Sequence, residues 1–382
     1  MKKKILLLGD PNSYWSIAFI KYVLLKLDAQ VFVLSNHDGV GAYAKDYQNV
    51  GVKIISPEPC PTWIMDIPKV RVFAMRRKQI KAINQYAPFD VIINMFVHPS
   101  ALRCSLSQKS RGTKVVAYFC GSDIIRANRF KSFILKHVLK KTDYAVMASS
   151  NVHDAFARQM NHKPVCKTTV IRLGLSVFQH IDRLLSTGEK EDYKQAFGIP
   201  SGKTTLCIGY SGSEAQNHLC VLEQISTLER DLKRKLYILL PITYGGSPEY
   251  AAQLERAVQC TGCDFQLIKE FMDSEAMAKL WLATDVFVNA QTTDGLSGSV
   301  LEALYAGANL LNAAWLQYRE YDEWNIEHIR FSSYQEIPSQ IACIMKKPHS
   351  ASFFNKQILA DKMSWQSCKE AWERLFSQMF VQ

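Results

Sequence analysis

Short apolar runs alternate with segments of helical spacing along the whole chain. In the first half the runs at residues 4–8, 31–34, 52–55, 91–96, 115–119 and 144–148 have the length and flanks of strands. Between them, 16–27, 70–86 and 130–141 place apolar residues at helical intervals. Continuous apolar strands separated by helices predict a parallel sheet covered on both faces. The rhythm fails from 176 to 201, where Lys190-Glu191-Asp192-Tyr193-Lys194 is charged and Gly198-Ile199-Pro200-Ser201-Gly202 holds chain breakers. A second α/β series follows, with strands at 205–209, 236–240, 265–268, 285–290 and 309–313. Helices are expected at 249–258 and at 274–283, the latter with Ser274 as its N-cap.

The fold class predicted is α/β, with two doubly wound, Rossmann-like domains whose strand carboxyl ends face a cleft. Their expected extents are 1–185 and 186–364. A last helix, 365–382, is expected to pack back on the first.

Composition narrows the class. With 48% hydrophobic and 21% charged residues the chain has a globular balance. No apolar run reaches the roughly 18 residues of a membrane span. The start, Met1-Lys2-Lys3-Lys4, imitates a signal peptide, but its apolar run breaks at Gly9-Asp10-Pro11 and no small-residue cleavage site follows. A first strand and a cytoplasmic protein are expected. The 10 cysteines have no framework spacing. Cys260-Thr261-Gly262-Cys263 lacks the second pair or histidines that zinc needs, so no metal site is assigned.

Charge is uneven. Residues 1–190 hold 29 Lys and Arg against 12 Asp and Glu, whereas the remainder holds 17 against 23. A basic first half suggests a polyanionic partner. No nucleic-acid-reading motif accompanies it. The segments 71–78 and 129–141 are basic and amphipathic, a pattern shared by interfacial helices and by ordinary surface helices. The expected partner is an anionic membrane surface met through the N-terminal domain at the inner face of the cell membrane, with no nucleic acid.

Candidate chemistry sits where strands end, the edge at which doubly wound sheets bind ligands. In the first half these places are Gly9-Asp10, His98, and Gly121-Ser122-Asp123 with Arg126 after it. In the second they are Tyr210-Ser211-Gly212, Asn217-His218 and Thr243-Tyr244-Gly245-Gly246. The fullest is Thr293-Asp294-Gly295-Leu296-Ser297-Gly298, which leads from a strand through small residues into a helix that stops at Gly307. Backbone N–H groups at such a helix start favour an anion. Asp294 and Glu302 would accept from hydroxyls, so a ligand carrying both phosphate and sugar is expected. Gly198-Ile199-Pro200-Ser201-Gly202-Lys203-Thr204 is not a phosphate loop, because three residues separate its glycines where four are required.

Residues 203–330 resemble the retaining GT-B glycosyltransferases that use nucleotide sugars. The resemblance lies in the acidic pair Asp294 and Glu302 with seven residues between, in Gly295, Ser297, Ala303 and Gly307, and in the preceding run 275–288. It implies that Glu302 binds the nucleotide ribose and that Asp294 approaches the transferred sugar. It also implies that the loop N–H groups of Gly295, Leu296 and Ser297 meet sugar or phosphate. The group presents Arg and Lys to the diphosphate after the first strand of this domain, whereas this chain has Tyr210-Ser211-Gly212 and Asn217-His218. His218 and Arg172 are the expected substitutes. Asp294, His218 and Asp123 are the expected catalytic residues. Gly9, Asp10, Arg172, Tyr210, Ser211, Gly212, Asn217, Thr243, Tyr244, Gly245, Gly295, Leu296, Ser297 and Glu302 would bind the donor, and His98 and Arg126 the acceptor.

The activity implied is sugar transfer from a nucleotide-sugar donor to a glycan or polyprenyl-linked acceptor in bacterial surface polysaccharide synthesis. It would be retaining, without cofactor and, as the chain has no Asp-x-Asp, without metal. Thr243-Tyr244-Gly245-Gly246 and Asn217-His218 also resemble the inverting bacterial transferases of 4-acetamido-4,6-dideoxygalactose, for which Asp123 or His98 would be the base. A nucleotide-sugar epimerase and a non-catalytic sugar- or nucleotide-binding protein remain as alternatives. A dinucleotide oxidoreductase is disfavoured, since Gly9-Asp10-Pro11-Asn12 replaces the Gly-x-Gly-x-x-Gly fingerprint.

Overall fold

The computed structural model describes residues 2–35, 41–346 and 352–381. The chain divides into two compact units, Met1–Gly174 with Trp365–Gln382, and Leu175–Ser364.

The first unit is built on β1 (Lys3–Leu8), β2 (Ala29–Leu34), β3 (Lys53–Ile55), β4 (Val91–Met95), β5 (Lys114–Phe119), β6 (Tyr144–Met147) and β7 (Lys167–Val170). They form one parallel sheet in the order β3-β2-β1-β4-β5-β6-β7. Ile5 lies opposite Val31 on one side and Val91 on the other. Successive side chains point to opposite faces. Ile5, Leu7, Val33 and Ile93 therefore enter one core with Phe19 and Val23, while Leu6, Leu8, Phe32 and Ile92 enter another with Ile83 and Phe89. Two covered faces explain why these strands read as unbroken apolar runs.

Helix Trp365–Val381 completes the Ile5 face. Trp372 meets Phe19 edge-on at 4.7 Å, and its indole N–H donates to the Arg172 carbonyl at 3.0 Å. Burying each large aromatic side chain here contributes about 1.5–3 kcal/mol. The helix comes so near the end of the first chain segment that a Cβ on Gly174 would lie 2.5 Å from the Trp365 backbone nitrogen and Cα. Only glycine fits that crossing.

The second unit repeats the plan with β8 (Thr204–Ile208), β9 (Leu236–Pro241), β10 (Asp264–Ile268), β11 (Val286–Asn289), β12 (Asn309–Ala313) and β13 (Ile329–Phe331). Its parallel order is β10-β9-β8-β11-β12-β13. In each sheet the strand order reverses once, between β1 and β4 and between β8 and β11. Those reversals open a crevice at the carboxyl edge.

Several details differ from the sequence reading. The stretch 176–201 contains two helices, Val177–Leu185 and Lys190–Ala196, and the first of them belongs to the second unit. Asp273, not Ser274, caps the next helix but one from β9, because its carboxylate accepts the Ala276 N–H at 2.8 Å. The first helix ends at Tyr22 and passes into a tighter turn, Leu24–Leu27. Strands β7 and β13 are additions.

Gly174→Ala is expected to destabilise the first unit by about 1–3 kcal/mol through overpacking at the Trp365 backbone. A urea unfolding curve identical to that of the unaltered protein would contradict this reading of the crossing.

Candidate functional site

The crevice between β8 and β11 gathers most of the candidate donor residues. Gly209 follows β8 with φ +64°, and a Cβ there would strike His218 Nε2 at 2.8 Å and Gln216 Oε1 at 2.9 Å. The chain then turns through Tyr210, Ser211 and Gly212. Gly212 N–H donates to the Tyr244 carbonyl at 2.7 Å. A Cβ on Gly246 would lie 2.5 Å from the Gly212 carbonyl oxygen, so the loops after β8 and β9 touch backbone to backbone. The Tyr244 ring stands out from this junction, 60% exposed. Thr243 is half-buried and Gly245 exposed, with φ +80°.

On the β11 side, half-buried Asp294 organises its own loop. One carboxylate oxygen accepts the Gly295 N–H at 2.8 Å, and the other accepts the Ser297 N–H at 2.9 Å and the Tyr318 hydroxyl at 2.6 Å. The turn holds Leu296 at φ +104°, a region that residues with a Cβ rarely occupy and that costs energy to maintain. Tyr318 is in turn held by Asn289 Nδ2 at 3.0 Å, and Asn289 Nδ2 also donates to Asn312 Oδ1 at 2.9 Å. Gln291 Nε2 donates to Asn289 Oδ1, and Tyr210 Oη to Gln291 Oε1 at 3.3 Å. A polar network thus runs from two buried strands to the loop. Burial, and next the Asp294 charge, raise the Tyr210 hydroxyl above its ordinary pKa.

Glu302 lies on helix Gly298–Tyr305, buried to 5% exposure, and accepts Trp281 Nε1–H at 3.1 Å. Burial pushes its carboxyl up to about 8 against one hydrogen bond that lowers it. At neutral pH the group is therefore mainly the neutral acid, able to donate one hydrogen bond and accept others. Ser297 makes no side-chain cap to this helix. The helix start therefore keeps the partial positive charge of N–H groups that no capping side chain satisfies.

Three expected roles in this crevice meet physical obstacles. His218 is fully buried, its Nδ1 lies 3.3 Å from Tyr250 Oη, and Nε2 is enclosed beneath Gly209. Burial lowers its pKa to about 4, so it carries no charge for a phosphate at neutral pH. Asn217 faces inward, donating from Nδ2 to the Ala290 carbonyl at 2.7 Å with its backbone left-handed, so it fastens the β8 loop to the end of β11. The N–H groups of Gly295 and Ser297 are likewise engaged by Asp294 rather than aimed at a ligand.

In the first unit, the β1–β4 reversal holds a pocket of about 280 Å³ lined by Gly9, Asp10, Gln79, Phe96, His98 and neighbouring apolar side chains. Gly9 passes close over Met95, and Asp10 folds its loop by accepting the Asn12 N–H at 3.0 Å. His98 caps helix Pro99–Leu106: Nδ1 accepts the Ser100 N–H at 3.3 Å and lies 2.6 Å from Ser100 Oγ. Accepting at Nδ1 assigns the proton of the neutral ring to Nε2. Partial burial and the nearby Lys131 charge lower its pKa. Asp123 is buried and accepts three backbone N–H groups, from Val97 at 2.9 Å, Cys120 at 3.2 Å and Gly121 at 2.9 Å. Its carboxyl pKa is nevertheless raised, because burial outweighs those bonds. Asp123 thus ties the β4 and β5 loops together. Arg126 is exposed just beyond. Arg172 belongs to this unit too, its charge bearing on Tyr118 and Cys368.

Tyr318, Asn289, Gln291 and Trp281 escaped the sequence reading. A signal existed for Asn289 and Gln291, which are polar residues at the end of an apolar strand.

No protein-family model matches the chain, and no curated protein matches it in sequence. Solved structures do match. A glycosyltransferase from Rickettsia africae superposes with a TM-score of 0.77 at 16% identity over 99% of both chains. Sucrose-phosphate synthase from Thermosynechococcus elongatus gives 0.78 at 12% identity over 100% of both. Anabaena Alr3699/HepE in complex with UDP and glucose gives 0.72 at 13% identity over 98% of this chain and 100% of that one.

The fold is that of the GT-B glycosyltransferases.

In GT-B terms the first unit carries the β1–β4 crevice and the second the β8–β11 crevice. Glu302 offers a clear pH test. An unfolded glutamate loses its proton near 4.5, whereas folded Glu302 keeps it to about 8. Folding therefore takes up a proton between those values, and stability falls as pH rises through that window. Glu302→Gln removes this loss. The variant should melt close to the parent near pH 4.5 and at a higher temperature at pH 8; a pH-independent difference would contradict the buried neutral acid. Tyr318→Phe should cost about 1–3 kcal/mol by stripping Asp294 and Asn289 of a buried partner, measurable by denaturant unfolding.

Proposed function

We propose that the protein is a glycosyltransferase whose second unit binds a nucleotide-sugar donor at the β8–β11 crevice. The observation that carries this reading is the pairing of Asp294 and Glu302 around a helix start with no side-chain cap, at the strand-order reversal of the second sheet. The likeness to Anabaena Alr3699/HepE, solved in complex with UDP and glucose, supports a nucleotide sugar as ligand. In this reading the ribose meets Glu302 and the sugar lies by Asp294. The diphosphate faces the N–H groups that open helix Gly298–Tyr305, and the exposed Tyr244 ring offers a stacking surface for the base.

The reaction proposed is retaining and metal-independent. The bond between the anomeric carbon and the diphosphate oxygen breaks, the acceptor hydroxyl oxygen bonds to that carbon, and its proton passes to the departing phosphate. This route is favoured over an inverting one by the state of the two candidate bases. Asp123 is engaged by three N–H groups, and neutral His98 carries its proton on Nε2. The acceptor proposed is a glycan or polyprenyl-linked sugar in bacterial surface polysaccharide synthesis, received at the pocket beside His98 and Arg126.

The test pairs a panel of radiolabelled nucleotide sugars with bacterial lipid extract and soluble glycans. Label passing from one donor into either acceptor supports the proposal. Epimerised donor without transfer, or binding without turnover, overturns it. Glu302→Ala should weaken binding of the matching nucleoside diphosphate roughly tenfold, the effect of losing one strong hydrogen bond. Unchanged affinity in calorimetry would remove Glu302 from the ribose.

A further inference from the structure

The first unit exposes apolar side chains in an ordered way. Trp63 is 65% exposed, Ile67 45%, Val70 42%, Val72 45% and Phe73 58%, an apolar stripe along the chain rather than along one helix face. The stripe begins in turn Thr62–Met65 and continues onto helix Pro68–Asn84. On helix Arg129–Leu139, Phe130 and Phe133 are 73% and 61% exposed, one turn apart and opposite the buried Leu135, Val138 and Leu139. Both helices pack against helix Pro99–Leu106, so they cover the same side of the sheet.

Both run antiparallel to the strands, returning from the carboxyl edge to the start of the next strand. The starts of both helices, at or near which these apolar residues lie, are therefore at the edge where the His98 pocket opens. Phe96, which lines that pocket, is exposed there as well.

The helices on this side are basic, although exposed Asp66 lies between Trp63 and Ile67 and Glu58 pairs with Lys81 at 2.8 Å. None of the three helices contains an Asp or Glu. Arg71, Arg77, Arg103, Arg129 and Lys140 are exposed on or directly after them, and the Arg76 guanidinium lies over the Phe73 ring at 5.4 Å. A second copy of the chain is a poor occupant, since pairing such faces would oppose like charges. Nucleic acid offers nothing to Ile67 and Val70. Aromatic and aliphatic tips beside arginines match the boundary between lipid headgroups and acyl chains.

We propose that this edge of the first unit docks on a bilayer containing anionic phospholipid. Trp63, Ile67, Val70, Phe73, Phe130 and Phe133 enter the headgroup region while the basic side chains meet lipid phosphate. Docking brings the His98 pocket to the membrane plane and selects a lipid-borne acceptor over a soluble glycan. The choice of acceptor rests on the transferase reading; the docking does not.

The test is sedimentation of the full chain with vesicles of phosphatidylcholine, alone or mixed with phosphatidylglycerol. Binding is expected only to the mixed vesicles, weakening as salt is raised. Replacing Trp63, Phe73, Phe130 and Phe133 together by Ser should reduce partitioning roughly tenfold or more without lowering the melting temperature, since all four are exposed. Emission of Trp63, isolated by comparison with Trp63→Phe, should shift to the blue on binding. Equal partitioning to neutral vesicles, no partitioning, or a dimer abolished by the four substitutions would each overturn the docking. Vesicle binding without any sugar transfer would leave docking standing and remove the transferase reading. Transfer to soluble glycan by protein that ignores vesicles would do the reverse.

Discussion

The bonds from Asp294 to Gly295, Ser297 and Tyr318 fix the loop on which the second crevice depends. A small-residue loop after a parallel strand has many conformations, and ordering each residue costs about 1–2 kcal/mol. Here one carboxylate collects two N–H groups and a hydroxyl. It also sustains Leu296 in a backbone region that most side chains avoid. Through Tyr318 the loop is anchored to Asn289 and Asn312, which sit in β11 and β12 inside the sheet. Polar side chains in a sheet interior are costly unless satisfied. Their presence makes sense as the rigid end of a network whose other end is the loop.

The first unit uses the same device in another place. Asp123 gathers the N–H groups of Val97, Cys120 and Gly121 and so joins the loops after β4 and β5 beside the pocket. In the second unit the loops after β8 and β9 also meet backbone to backbone, at Gly212 against Gly246. The two sheets therefore share more than strand order. Each sets an acidic residue to shape the loops at its carboxyl edge.

Much of this was legible in the residues. Strands buried on both faces announce themselves as apolar runs, and β1, β4, β5, β8 and β11 all do. β7 begins with exposed Lys167 and Thr168 at a sheet edge, and β13 has three residues, so neither shows a run. Helix Val177–Leu185 lies where the strand rhythm stops, although Val177, Phe178, Ile181 and Leu184 have helical spacing and are all buried. The Asp294 and Glu302 pair was legible because its spacing is local. The condition of His218 was not. Its neutrality comes from Gly209 above it and Tyr250 beside it, which the chain brings together only on folding. Asp123 has the same explanation, since its partner Val97 lies on another strand's loop.

These conditions bear on how a diphosphate would be held without the Arg and Lys of the GT-B resemblance. The second half of the chain is slightly acidic, and a donor would meet two carboxyl groups as well as its own charge. Burial changes that sum. With Glu302 held up to about 8, one of the two groups is mainly neutral at physiological pH. In the proposed reading it donates to a ribose oxygen without repelling the phosphates. The other, Asp294, already faces two N–H dipoles and a hydroxyl, which disperse its charge. What remains at the crevice is the partial positive charge of helix Gly298–Tyr305, strongest within its first turn. A site organised in this way depends on a protonated carboxyl, so its affinity for a nucleoside diphosphate should decline as pH passes about 8. A site built on arginine would keep its charge across that range. The comparison of Glu302→Gln with the parent between pH 7 and 9 separates the two, because only the parent can lose the proton.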